Sequence, residues 1–167
     1  MRILFLAELA DPRVGSWSRL TFDLAGALQA QGHECLVVGA VRSEEEAGDS
    51  EVMGVPVTNL VSDYPVRWRA WRSLHNPVID APLAALLERF RPEVVHAHGL
   101  HTHLGYHALT QAREAGAAVV LTAHDVMTFC YQKLTCFHGG EEARGQEHDV
   151  VARPSKCIPC QRLRFRP

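Results

Sequence analysis

The chain has 167 residues and is 47% apolar, enough to bury the core of one ordinary domain. Its 17 Lys and Arg against 19 Asp and Glu leave a formal charge of −2, which excludes a global field that gathers nucleic acid or an anionic membrane. No apolar run approaches the roughly 20 residues of a spanning helix, and Glu8 and Asp11 interrupt the opening MRILFLAELAD, so it reads as a buried strand and not as a signal peptide.

Arg2 to Ala7 is that first strand, and its apolar run suits a strand covered on both faces, as in a parallel sheet. After a polar turn, Trp17, Leu20, Leu24, Ala27 and Leu28 recur at helical spacing, and Gly32 supplies the stop. Cys35 to Ala40 is a second buried strand, so the first forty residues form a strand-helix-strand unit, with Cys35 a buried thiol. From Arg42 to Gly54 the run SEEEAGDSE is acidic and reads as a solvated loop or frayed helix. A third strand is expected at Val55 to Val61, followed by a half-exposed helical segment carrying Trp68, Trp71 and arginines.

Asp80 and Pro82 mark a helix start. Leu83, Leu86, Leu87 and Phe90 give its buried stripe, and Pro92 ends it. A fourth strand runs from Glu93 to His98. Leu104, Ala108, Ala112 and Ala115 then mark a one-sided helix closed by Gly116, and Ala117 to Ala123 is a fifth apolar strand. Beyond Val126 the periodicity disappears. The pattern predicts an α/β fold with a doubly wound, mostly parallel Rossmann-like sheet over residues 1–128, then an irregular Cys-containing segment over 129–167.

Ligands of such sheets bind beyond the carboxyl ends of the strands, where helix amino termini and loop amides converge. Three loops matter for that reason. In the first, Gly15 allows close backbone approach and Ser16 or Ser18 can cap the helix, but GxGxxG is absent and no acidic residue ends the second strand, which argues against a dinucleotide enzyme. The second carries His96, His98, His101 and His103, where alternation puts His96 and His98 on one face. Cleft-lining, metal-binding and plain packing roles are all open to these histidines, although the spacing fits no helical zinc motif. The third holds His124 beside Asp125 at a strand end, a candidate donor or proton-shuttling pair with no accompanying Ser or Cys nucleophile motif.

Taken in order, these segments resemble the amino-terminal domain of family-four glycosyltransferases, which have two facing Rossmann-like domains, the GT-B arrangement. RILFLAE opens the sheet, LAGALQAQGHECLVVG is similar to the family's first helix, Gly-His turn and second strand, PEVVHAHG to its Asp-Val-Val-His-x-His strand, and VVLTAHD to its Thr-x-His-Asp strand end. The likeness covers most of residues 1–135. It implies an acceptor-side domain of an enzyme that moves a sugar from a nucleotide-sugar donor with retention of configuration, with no protein nucleophile and no cofactor needed for catalysis. The donor-binding, carboxyl-terminal domain is not among these residues, so the isolated chain is expected to be a truncated half that transfers little or no sugar.

Carried over residue by residue, the likeness places Gly15 and Ser16 in the loop approaching donor phosphates or acceptor, His124 on the cleft wall near the transferred sugar, and His98 and Asp125 in the same cleft. The family's usual pair of adjacent glycines is here Gly15-Ser16, which leaves less room for backbone approach. The expected partners are the nucleotide sugar and a glycan, lipid-linked or small-molecule acceptor, with no nucleic acid. Trp68, Trp71 and their arginines suit peripheral contact at the inner membrane face of a cytoplasmic protein. The alternative is a non-catalytic binding module derived from such an enzyme.

Without an export signal, the five cysteines are expected to be thiols or metal ligands rather than disulfides. Cys157 and Cys160 form a CxxC knuckle, and with Cys130 and Cys136 they are candidate ligands of a structural zinc, with His138 as an alternative. Arg162, Arg164 and Arg166 close the sequence as a small basic cluster.

Overall fold

The computed structural model describes residues 1–124, and the chain divides into two compact units, Met1–Thr122 and Ala123–Pro167. The first unit is a six-stranded sheet flanked by helices. Its elements in chain order are β1 (Arg2–Ala7), α1 (Ser16–Ala30), β2 (Glu34–Val41), a 3-10 turn (Glu44–Glu46), β3 (Gly48–Val52), β4 (Val55–Val61), a second 3-10 turn (Val66–Trp68), α2 (Arg69–Leu74), α3 (Asp80–Phe90), β5 (Val94–His98), α4 (His107–Glu114) and β6 (Ala118–Thr122). The expected segment 129–167, with Cys130, Cys136, Cys157, Cys160, His138 and the terminal arginines, lies outside the described residues, as does Asp125.

The strands lie in the order β3-β4-β2-β1-β5-β6. Every neighbouring pair is parallel except β3 with β4. Reading the parallel strands by their sequence rank gives the Rossmann order, in which β1 sits centrally and the chain winds outward to both sides. Alternation along β1 builds two core layers. Ile3, Phe5 and Ala7 pack with Phe22 and Ala25 of α1, whereas Leu4 and Leu6 pack with Leu83, Leu86 and Leu87 of α3 and Ala108 and Ala112 of α4. Cys35 is buried within the α1 layer, as expected of a thiol on a central strand.

Several elements differ from the pattern expected of the sequence. The acidic run after Arg42 contains β3, which pairs antiparallel along β4 with Asp49 opposite Thr58; the Thr58 hydroxyl donates to the Asp49 carboxylate at 2.6 Å. It escapes periodicity because nearly all of it is exposed. The buried stripe of α1 is Ser18, Thr21, Phe22 and Ala25, and Leu20 is 48% exposed. Ser18 and Thr21 are buried because each hydroxyl donates to a backbone carbonyl, of Leu9 at 3.0 Å and of Trp17 at 2.9 Å. The amino terminus of α1 is capped by no side chain, since Gly15 holds the cap position and Ser18 is turned to Leu9. Leu104 is buried, but it precedes α4 instead of belonging to it. β6 is not a covered strand: Val119, Val120 and Leu121 stand exposed at the sheet edge.

Candidate functional site

β1 and β5 are neighbours from which the chain departs in opposite directions, so the loops after them part and leave a crevice at their carboxyl ends. Glu8 is the first residue past β1 and is almost fully buried there. Its carboxylate accepts the backbone N–H of Thr102 at 3.1 Å and that of His103, in the loop that follows β5. Its own carbonyl accepts the N–H of Ala40 at 3.3 Å, near the end of β2. One acidic residue thus ties the loop after β5 to the ends of β1 and β2. Burial pushes the Glu8 carboxyl above its ordinary value, against the lowering pull of the amides it accepts.

A second set of polar groups holds the same loop from the other side. Ser62, just beyond β4, donates to the carbonyl of His103 at 3.3 Å. Asn76 donates to the Ser62 hydroxyl at 2.8 Å and to the His103 carbonyl, and the Tyr64 hydroxyl donates to the carbonyl of Thr102. Gly105 closes the loop with φ +69°, and a Cβ there would meet the carbonyl oxygen of Arg72 at 2.7 Å. On the opposite flank, a Cβ on Gly39 would lie 2.6 Å from the Ala10 methyl and 2.9 Å from its nitrogen, so the loop after β1 rests directly on β2.

Between these loops lies a cavity of about 410 Å³, lined by Leu9, Asp11 and Val14 after β1, Val41 at the end of β2 and Arg42 after it, Asn59 of β4, and His103. A larger hollow of about 740 Å³ lies between α3 and α4, at Leu87, Arg91 and Ala115. That hollow adjoins the carboxyl ends of the helices, where no helix amino terminus or strand-end loop converges. The strand-end cavity is the one with the chemistry of a site.

His103 is half-buried on its wall, with Nδ1 3.1 Å from the Ser62 hydroxyl and its ring 5.2 Å from that of Tyr64. Burial, followed by the charge of Arg42, lowers its pKa from the ordinary value, so the imidazole is neutral near pH 7. With Nδ1 engaged by Ser62, Nε2 is the nitrogen suited to meet a ligand. The Ser–His contact is no nucleophilic dyad, because Ser62 is wholly buried and its hydroxyl is occupied by Asn76 and the His103 carbonyl. Asp11 is held ionised by Arg13, whose guanidinium grips both carboxylate oxygens. With Asp11, Glu46 and Arg42 all on its lining, the cavity is of mixed charge and is not a diphosphate clamp.

Gly15 and Ser16, expected in the ligand-approaching loop, open α1 immediately after Val14 of the cavity wall, and a Cβ on Gly15 would lie 3.3 Å from Nε1 of Trp17. His98 ends β5 at 1% exposure, its ring 4.2 Å from that of His96 and 6.2 Å from that of Phe5, so the two histidines share a face as alternation predicts. His96 is hydrogen-bonded to Thr122 at 2.8 Å, and His101 to Tyr106 at 2.9 Å. Among the described residues, the four histidines of this segment do not converge on a common metal position. His124 is half-buried and follows β6 by two residues. Trp68 and Trp71 are exposed, with the Arg67 guanidinium 5.7 Å above the Trp68 ring.

Glu8, Ser62 and Asn76 are the site residues that periodicity passes over. Only Glu8 carries a sequence signal, a carboxylate set directly after the apolar run Ile3 to Ala7.

No curated protein matches the chain. Among solved structures, the fold is similar to that of a sucrose-phosphate synthase from Thermosynechococcus elongatus, with a TM-score of 0.62 at 16% identity over 93% of this chain. The chain spans 39% of the length of that protein. The family model for Glycosyltransferase Family 4 matches residues 18–153, from the start of α1 through β6 and beyond. A match over most of the sequence, on a sheet of Rossmann order with its loops gathered at the switch point, settles the relationship: the chain belongs to Glycosyltransferase Family 4.

Proposed function

We propose that these residues form the acceptor-side, amino-terminal domain of a glycosyltransferase that moves a sugar from a nucleotide-sugar donor to a glycan, lipid-linked or small-molecule acceptor with retention of configuration. The observation that supports the reading is the strand-end cavity beside Asp11, Arg42 and His103, hydroxyl-binding in character and mixed in charge. Acceptors offer hydroxyls, which a neutral imidazole and a carboxylate bind well, whereas a donor diphosphate calls for several cations. Transfer then requires a donor-binding domain in addition to the residues described.

Within that reading, Nε2 of His103 orients an acceptor hydroxyl, Asp11 accepts from a second one, and the loop at Gly15 and Ser16 borders the approach to the donor. His124 and Asp125 keep the roles that family likeness implies, with His124 contacting the transferred sugar, whereas His98 is buried at 1% exposure. Positioning and electrostatic support carry the catalysis, with no covalent enzyme intermediate.

The test is steady-state kinetics of a protein that joins this chain to a donor-binding domain of the family, assayed on a panel of nucleotide sugars and acceptors. His103→Ala is expected to raise the acceptor KM, or lower kcat/KM, by about tenfold, the size of one hydrogen bond near 1.4 kcal/mol. Donor KM should change little. An unchanged acceptor dependence removes His103 from the acceptor site, and absence of transfer from every donor favours a non-catalytic binding module.

A further inference from the structure

His75 follows α2 as its carboxyl cap, Asp80 is the first residue of α3, and His107 is the first residue of α4. One ligand atom from each lies within 4.8 Å of the other two. Nε2 of His75 donates to Oδ2 of Asp80 at 2.7 Å, and the His75 and His107 rings are 4.3 Å apart. His75 is exposed and the other two are half-buried, so an ion can reach the trio from solvent.

Two imidazoles and one carboxylate form a borderline-soft donor set that suits zinc, with a water in the fourth position. At zinc bond lengths of about 2.0–2.2 Å, tetrahedral ligand atoms stand about 3.3–3.5 Å apart. The His75–Asp80 pair would open by several tenths of an ångström, and no pair would close by more than about 1.5 Å. Side-chain rotation at surface positions supplies movements of that size.

The backbones that carry the ligands are already tied together. The side chain of Gln111, one turn beyond His107, donates to the carbonyl of Asp80 at 3.0 Å. The N–H of Tyr106 donates to the carbonyl of Ser73 at 2.8 Å. Asp80 lies in the first turn of α3, so its carboxylate is carried on a fixed helix end. A His–Asp hydrogen bond accounts for two members of the group. The third, His107, turns a pair into a ligand set.

We infer that His75, Asp80 and His107 form a surface site for a divalent transition ion, zinc foremost, that clips the ends of α2, α3 and α4 together. Asn76, next to His75, holds the carbonyl of His103, so an ion fixing His75 also stiffens one wall of the strand-end cavity.

The test is a zinc titration of the full chain followed through histidine side-chain NMR signals, assigned with His75→Gln and His107→Gln. Saturable shifts of the His75 and His107 signals are expected, together with a loss of affinity of at least about tenfold in either variant. Cobalt(II) bound there should show d–d absorption without the thiolate charge-transfer bands that Cys130, Cys136, Cys157 and Cys160 would give. Unmoved His75 and His107 signals, or wild-type affinity in a folded variant, would overturn the site and leave a structural hydrogen-bond cluster. Should His107→Gln fail to fold, His75→Gln at its exposed position decides the same question.

Discussion

Glu8, whose carboxylate accepts the His103 backbone N–H, and the His103 imidazole pull the pH dependence of stability in opposite directions. The Glu8 carboxyl is raised above 4.5, first by burial. Its contribution is therefore fully present below 4.5 and is lost as pH rises through the folded value. The His103 imidazole is lowered below 6.5, again first by burial. Its contribution is present above 6.5 and is lost as pH falls through the folded value. Glu8→Gln should remove the first dependence: in urea unfolding at a series of pH values, wild-type stability should decline relative to the variant as pH rises from 4.5. Parallel curves would mean that Glu8 ionises in the fold as it does in the open chain. The slope is the readout, because an amide facing two N–H donors costs about 1–3 kcal/mol at every pH.

At the scale of elements, the loops at the strand ends are shaped by where the backbone has room. Gly105 combines φ +69° with the Arg72 carbonyl 2.7 Å from a would-be Cβ, so Gly105→Ala should cost roughly 1–3 kcal/mol and displace the loop that Glu8 holds. Gly26, within α1, has open space around it. Gly26→Ala should therefore stabilise by about 0.5–1 kcal/mol, and chemical denaturation of the two variants should show opposite signs. Elements with a one-sided apolar stripe, such as α3, were legible from sequence, because Leu83, Leu86 and Leu87 fall on one face by spacing alone. β3 was not, because its pairing rests on backbone bonds along β4 and on Asp49 with Thr58. In α1 the expected stripe holds at Trp17, Leu24 and Leu28, which pack against the core, and fails at Leu20, because Ser18 and Thr21 are buried by bonds to backbone carbonyls, which hydropathy counts against burial.

For the whole molecule, two apolar layers on either side of the sheet carry the stability, and the layer under α3 and α4 is the more extended. Leu83 is wholly buried in it, so Leu83→Ala should cost about 2–5 kcal/mol. Leu20→Ala, at 48% exposure, should stay within about 0.5 kcal/mol of wild type. Urea midpoints decide the pair, and a large loss at Leu20 would restore the stripe expected from spacing. The sheet also fixes where ligands can go. The placement of β1 between β2 and β5 puts the loops after β1 and β5 at a switch point, and that placement follows from strand pairing between distant segments.

The sequence by itself determined the alternation of strands and helices, the mostly parallel character of the sheet and the family. Each of these is encoded in local spacing or in short motifs that keep their order along the chain. Tertiary structure alone decided that Glu8 is a buried anchor, that His103 lines the cavity while His98 is buried against His96 and Phe5, and that His75, Asp80 and His107 meet. The reason is distance along the chain: Glu8 reaches His103 across 95 residues and Ser62 reaches it across 41, and no periodicity within a window of one helix or strand records such a contact.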